Sequence, residues 1–353
     1  MKGRRPRPLD DGDRGRTRVS LIINTTKLIR WQTSGVSIIS NCTTSAIKDA
    51  ANSLREGNLV AFPTETVYGL GADAQNKDAV AKIYQAKGRP VEHPLIVHIS
   101  SVVHLKKWTR NIPEYAIKLA ESFWPGPMTL ILPRTEVAKD FITGGQDNVG
   151  IRVPSHGIAQ ELLKNFEAQG GLGIAAPSAN RFGKVSTTSA LGVQDELAKY
   201  LTCEDLILDG GHCQVGLEST IIDCRFSAPT ILRPGAISEE MVNAVSGIGV
   251  ISNKLPNQIK APGLLQSHYA PEAKVFLTGT PGYNEGFIAL GELETPNGAI
   301  RLASPENSTQ FAQQLYLALR LADKKKLKKI FIVAPDNGAL VSAINDRLKR
   351  MTQ

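Results

Sequence analysis

STIIDCRFSAPTILRPG, residues 219–235, holds two short runs rich in Ile and Thr, STIID and TILR, joined by a loop of hairpin length. β-Branched residues favour strands because their crowded Cβ restricts χ1. A connection this short joins antiparallel neighbours, since a parallel crossover needs a dozen residues or more. A purely parallel doubly wound sheet is therefore disfavoured. Upstream of the hairpin, short apolar strands alternate with helical patterns: LIVHI (95–99), a helix over 113–123, MTLIL (128–132), VGIRVP (149–154), a helix over 156–166, LGIAAP (172–177), a helix over 188–200 and LILDG (206–210). The mixture predicts an α/β fold, a twisted mixed open sheet covered by helices.

Nearer the N-terminus, Thr43 or Thr44 reads as the cap of a helix running to about residue 56, with Gly57 just past its end. A strand over 58–62 follows. Asn76 caps a second helix that ends near residue 87. Downstream, residues 238–245 read as a closing helix. Residues 247–271 then lose periodicity and contain APGLLQSHYAP (261–271). A new pattern begins at KVFLTG (274–279) and continues through GFIALG, AIRLAS, a helix over 308–321, KIFIVAP and a helix over 339–350, which predicts a small Rossmann-like α/β domain. It carries no GxGxxG and no P-loop, so no nucleotide site is expected there. The expected organisation is a disordered basic tail (1–35), a catalytic domain (40–246), a linker (247–271) and the Rossmann-like C-terminal domain (272–353).

The 353 residues exceed what one hydrophobic core usually holds, which also argues for two domains. No apolar run approaches the roughly 20 residues of a membrane span. Four cysteines without CxxC spacing suggest reduced thiols in a cytoplasmic protein. The net charge of +8 is concentrated at the ends: residues 1–18 carry +4 and residues 320–353 carry +6, leaving −2 for the body. A broad basic footprint for nucleic acid is not supported. A non-catalytic RNA-binding role in translation is the alternative class, and RNP, KH-type and zinc-knuckle signatures for it are missing.

Chemistry-bearing residues gather at strand ends. KGRPVEHPLIVH (87–98) sets Lys87 and Arg89 between a helix and a strand, a pairing suited to a polyphosphate or carboxylate. A helix C-terminus would favour the same cations through its dipole. PTETVYGLG (63–71) offers Thr64, Thr66 and Tyr68, and reads equally as a polar turn. Arg152 stands among Val and Ile on a strand and needs a partner when buried: Glu65, Glu218 or an anionic ligand. Arg233 ends the apolar strand of the hairpin, and APSANRFGKVS (176–186) adds Ser178, Asn180 and Ser186. Four cations with Ser, Thr and Asn groups, and no triad or metal motif, point to positioning and charge neutralisation, the main resources of phosphoryl and nucleotidyl transfer.

In order, PTETVYGLGAD, KGRPVEHPLIVH, WPGPMTLIL, VGIRVP, APSANRFGKVS, GLESTIID and ILRPGAI resemble the YrdC-like threonylcarbamoyl-AMP synthases. SHYAP in the linker resembles the two-domain branch of that family. The resemblance implies a nucleotidyltransferase that converts L-threonine, bicarbonate and ATP to threonylcarbamoyl-AMP and pyrophosphate, the first step of N6-threonylcarbamoyladenosine modification of tRNA. It implies that Thr66, His98, Arg152 and Ser219 contact L-threonine. It places Lys87, Arg89, His93, Asn148, Ala176, Ser178, Ser186, Arg233 and Tyr269 around ATP, with His268 near the nucleotide. At His93 the family commonly carries Asn, and imidazole lacks an amide's hydrogen-bonding geometry. Mg2+ would accompany ATP with few protein ligands, and a transient contact with tRNA or the threonylcarbamoyl-transferase complex is implied. On this reading Arg89→Ala removes most activity while leaving the thermal transition near that of the parent chain.

Overall fold

The computed structural model describes residues 30–32, 37–39, 42–251 and 269–352. Most of the expected tail, and the linker over 252–268 with His268, lie outside the described residues. Within the stretch assigned to the tail, Arg30–Gln32 form a strand, β1, antiparallel to β2 (Ser37–Ile39), which in turn docks parallel on β9 (Leu206–Leu208). An available sheet edge supplies the backbone partners that composition alone did not reveal.

The first unit continues with α1 (Thr44–Arg55), β3 (Val60–Phe62), β4 (Gly69–Asp73), α2 (Lys77–Lys87) and β5 (Ile96–His98). Short α3 (Leu105–Trp108) and α4 (Glu114–Phe123) lead to β6 (Met128–Pro133), α5 (Asp140–Thr143) and β7 (Asn148–Arg152). Then come α6 (Gly157–Ala168), β8 (Ile174–Ala175), α7 (Ala190–Leu197), β9, β10 (Thr220–Asp223), β11 (Thr230–Arg233) and α8 (Glu239–Ser246). The predicted caps form: Thr43 accepts from the Ala46 N–H and Asn76 from Asp78 and Ala79; Ser238, expected inside the closing helix, is instead its cap and accepts from Met241. Gly88, at φ 60°, ends α2 in the left-handed conformation that glycine adopts without a Cβ penalty.

These strands form one mixed sheet in the order β1-β2-β9-β3-β4-β8-β5-β7-β6-β10-β11. The hairpin of the opening stretch is real: β10 pairs antiparallel with β11 and parallel with β6. Side chains alternate between the two faces, as a period of two requires. Val60, Phe62, Leu206 and Leu208 pack with Ile47 and Leu54 of α1 and Leu162 and Phe166 of α6. Ala61 and Ile207 face the other way, into a core shared with Ile83 of α2 and Leu119 of α4.

The second unit holds β12 (Lys274–Phe276), β13 (Gly286–Ile288), β14 (Ile300–Ala303), α9 (Ser308–Lys324), β15 (Lys329–Ile332) and α10 (Val341–Met351). Its four strands are all parallel, in the order β12-β15-β13-β14. Phe311, Leu315 and Leu319 of α9 and Ile344 and Leu348 of α10 build its core, which also takes in Val67, Val185 and Leu217 of the first unit. The two units therefore share apolar packing. It lies beside the cleft described next.

Candidate active site

β5, β7, β6 and β10 are consecutive neighbours in the mixed sheet, with β11 beyond them at its edge. Their register sets His98 opposite Arg152, and Arg152 opposite Thr129. Partners in register project from the same face. Just before β10, the Ser219 hydroxyl lies 2.8 Å from that of Thr129. A polar row thus runs across β5, β7 and β6 to the start of β10 and underlies the floor of a cleft. Arg152 donates from Nη2 to Glu65 Oε1 at 2.7 Å, and the Ser155 N–H holds the other Glu65 oxygen at 3.0 Å. Glu65, not Glu218, is the internal partner of Arg152. Arg152 Nε and His98 Nδ1 are buried without a hydrogen-bond partner. Burial, with Arg152 beside it, pushes the His98 pKa down to about 3, so its imidazole is neutral at physiological pH. Buried groups left unpaired need an explanation, and a small polar ligand provides one.

Loops form one wall. Lys87 is the last residue of α2, and its ammonium donates to the carbonyls of Ser178 and Asn180. Arg89 donates to the carbonyls of Pro94 at 2.8 Å and His93 at 3.3 Å, and its guanidinium stands 5.7 Å from the Phe182 ring centre. Burial drives the Lys87 pKa well below its ordinary value and pulls Arg89 down to about 10. Asn180 spends both amide hydrogens on the carbonyls of Arg181 and Lys184, which leaves Oδ1 buried and unpartnered at the cleft.

The opposite wall joins the two units. Arg233 grips Ser219, donating to its carbonyl at 2.9 and 3.0 Å and to its hydroxyl at 3.1 Å. Next along the chain, Glu218 accepts from Ser186 at 2.6 Å, Tyr316 of α9 at 3.0 Å and Arg347 of α10 at 2.9 Å. Burial alone would raise the Glu218 pKa, but Arg347 and Arg233 hold it near 2. Tyr269, at φ 64°, stacks on Tyr316 at 5.9 Å and lies 5.3 Å from the Arg347 guanidinium.

The cleft spans about 630 Å³ when the solvent-open part is counted with the rest. Lys87, Arg89, His98, Arg152, Ala176, Ser178, Ser219, Arg233 and Tyr269 all line it, as their sequence positions suggested. Four other residues named from the sequence do not. Thr66 stands behind Thr64, hydroxyl to hydroxyl at 2.8 Å, and Ser186 stands behind Glu218. Asn148 begins β7 whereas Arg152 ends it. His93 packs edge-on against Phe182 at 5.3 Å, outside the lining. Sequence reasoning missed Phe182, and it missed Thr129, Tyr316 and Arg347 as supports. A polar residue at a mid-strand position was the one available signal for Thr129; for Tyr316 and Arg347 there was none.

Two family models match the chain, one described as "Telomere recombination" over residues 52–235 and one described as "Threonylcarbamoyl-AMP synthase, C-terminal domain" over residues 237–351. The "Threonylcarbamoyl-AMP synthase" of Pyrococcus abyssi is 39% identical over 326 residues, covering 86% of this chain and 93% of its own. Its Bacillus subtilis counterpart is 40% identical over 327 residues, with 86% and 92% covered. The crystal structure of P. abyssi Sua5 complexed with L-threonine superposes with a TM-score of 0.79 at 37% identity, covering 89% of this chain and 97% of that one. The chain belongs to the threonylcarbamoyl-AMP synthase family, in the form that carries the C-terminal domain.

Proposed function

We propose that this chain is an L-threonylcarbamoyladenylate synthase, a nucleotidyltransferase that turns L-threonine, bicarbonate and ATP into threonylcarbamoyl-AMP and pyrophosphate. The observation that carries the reading is the floor of the cleft, where Arg152 Nε and neutral His98 Nδ1 sit in register, buried and unpartnered, with three more cations around them. Arg152 suits the threonine carboxylate, with His98 and Ser219 at its polar groups. Lys87, Arg89 and Arg233 suit the triphosphate. The P. abyssi relative solved with L-threonine supports the same substrate.

The chemistry this site would promote is mostly positioning. The threonine amine attacks bicarbonate carbon to give a carbamate, and water leaves. A carbamate oxygen then attacks the α-phosphorus, the Pα–O bond to the β-phosphate breaks, and pyrophosphate departs with its electron pair. Fixed cations stabilise the charge that develops on the phosphates. Closeness of two bound reactants lowers the barrier further. ATP would enter as its magnesium complex. Among the described residues no group of three His, Cys, Asp or Glu side chains could hold a metal. The phosphates would be the main ligands of magnesium.

The product would pass to the enzyme that modifies tRNA, through a transient contact with tRNA or with that transferase complex. The cytoplasm is the proposed compartment. Among the described residues no helix is long and apolar enough to cross a membrane. The deciding experiment measures pyrophosphate release with ATP and magnesium. Release that requires both L-threonine and bicarbonate is expected; equal release without threonine overturns the reading.

A further inference from the structure

Glu218 is the only carboxylate lining the cleft among the described residues, and it stands on the wall next to Ser219 and Arg233. Left alone there, it would repel an anionic ligand and compete for Arg233. It is not left alone. Arg347, itself fully buried on α10 of the second unit, donates from Nε to Glu218 Oε2 at 2.9 Å. Its Nη2 donates to the Pro234 carbonyl at 3.0 Å, and Nη1 meets Asp346. Tyr316 of α9 shares Oε2, so both partners of that oxygen belong to the second unit, while Ser186 of the first unit takes Oε1. Arg233 meanwhile spends its donors on the Ser219 carbonyl and hydroxyl.

We infer that Arg347 is a positioning residue for nucleotide binding: it neutralises Glu218 from the C-terminal unit and so keeps the positive field of the cleft available to polyphosphate. The inference rests on the proposal that the cleft takes ATP. It gives the second unit an electrostatic task in the site without any direct contact between α10 and the nucleotide.

The sign of the effect separates this from plain structural docking. A bare carboxylate acting on one unit of negative charge across roughly 10 Å, at an effective dielectric of about 20, weakens binding roughly tenfold. Threonine, a zwitterion with no net charge, feels far less. ATP and L-threonine affinities are measured by calorimetry on the full chain and on Arg347→Met, Glu218→Gln and the double variant. The expected results are ATP weakened about tenfold by Arg347→Met with threonine little changed, recovery in the double variant, and tighter ATP binding by Glu218→Gln alone. Arg347→Met that binds ATP normally overturns the inference, as does a double variant no better than Arg347→Met. If Arg347→Met does not fold, Glu218→Gln decides, because a structural role predicts weaker ATP binding there and the electrostatic role predicts tighter. A parent chain that binds no ATP overturns the reading of the cleft itself, a different failure from either.

Discussion

On the strand-built floor of the cleft, Arg152 and His98 each keep a buried polar atom without a protein partner. On the loop-built wall, Lys87 and Arg89 give their hydrogens to backbone carbonyls: Ser178 and Asn180 for the lysine, His93 and Pro94 for the arginine. Both regions are cationic and buried, yet they store their charge differently. Strands hold side chains by register, so the floor needs no help from its own polar groups and can reserve them for a ligand. Loops have no ladder, so Arg89 folds the loop it stands on and Lys87, from the end of α2, ties down the 178–180 loop. A phosphate arriving there must replace those carbonyls. The floor is preorganised; on the proposed reading the wall exchanges partners.

The largest break in this comparison comes from Arg152→Ala. It removes the proposed carboxylate ligand and leaves Glu65 buried without its ion-pair partner. Breaking a buried pair by removing one member costs about 3–5 kcal/mol of stability. Activity falls at least about a hundredfold, the kinetic equivalent of losing one strong charge-assisted contact. Denaturant unfolding and the pyrophosphate assay check the two together. A stable Arg152→Ala protein would mean that Glu65 is held by something other than this guanidinium.

Acid titration separates the regions next. His98 titrates near 3 in the fold and near 6.5 in the unfolded chain, so between those values the unfolded state binds the extra proton. Stability therefore falls as pH drops below about 6.5, with a limiting slope near 1.4 kcal/mol per pH unit. Glu218, with its pKa lowered from 4.5 to about 2, adds its own loss only below about 4.5. His156, also lowered by burial, adds a loss of the same sign that begins as pH falls below about 6.5. His98→Gln should flatten the curve between about 6.5 and 4.5 relative to the parent chain. An unchanged slope there would show that His98 is solvated.

The floor and the wall were not equally legible in the sequence. Two helix starts were plain because Thr43 and Asn76 cap in the way short polar side chains do, and the 219–235 hairpin betrayed the mixed sheet. Lys87, Arg89, Arg152 and Arg233 stood out because cations at strand ends are costly without a purpose. The supports were hidden by separation along the chain. Ser219 meets Thr129 across 90 positions, and Glu218 meets Tyr316 across 98 and Arg347 across 129. Offered Glu65 or Glu218 for Arg152, composition could not choose, because the choice depends on which strand neighbours which. Asn148 and His93 entered by motif position, and the motif does not say which end of a strand or which side of a loop faces the cleft.

Arg89→Ala has the smallest expected effect on stability and corrects a reading from sequence. A cation valued only for its ligand could be removed without disturbing the fold. The structure instead has Arg89 bridging two carbonyls of the 93–94 turn and lying against Phe182, with 8% of its surface exposed. Its loss should cost about 2 kcal/mol, the scale of charged hydrogen bonds surrendered at a buried site, and should lower the thermal transition by several degrees. Arg89→Lys sharpens the point. It keeps the charge but cannot reproduce the guanidinium's planar fork, so the stability loss should persist while part of the activity returns. Equal stability of all three proteins would show that Arg89 is held in reserve for a ligand and does not fold the loop. Loss in both variants keeps it with the wall, where the same donors fold the loop first and meet the phosphates second.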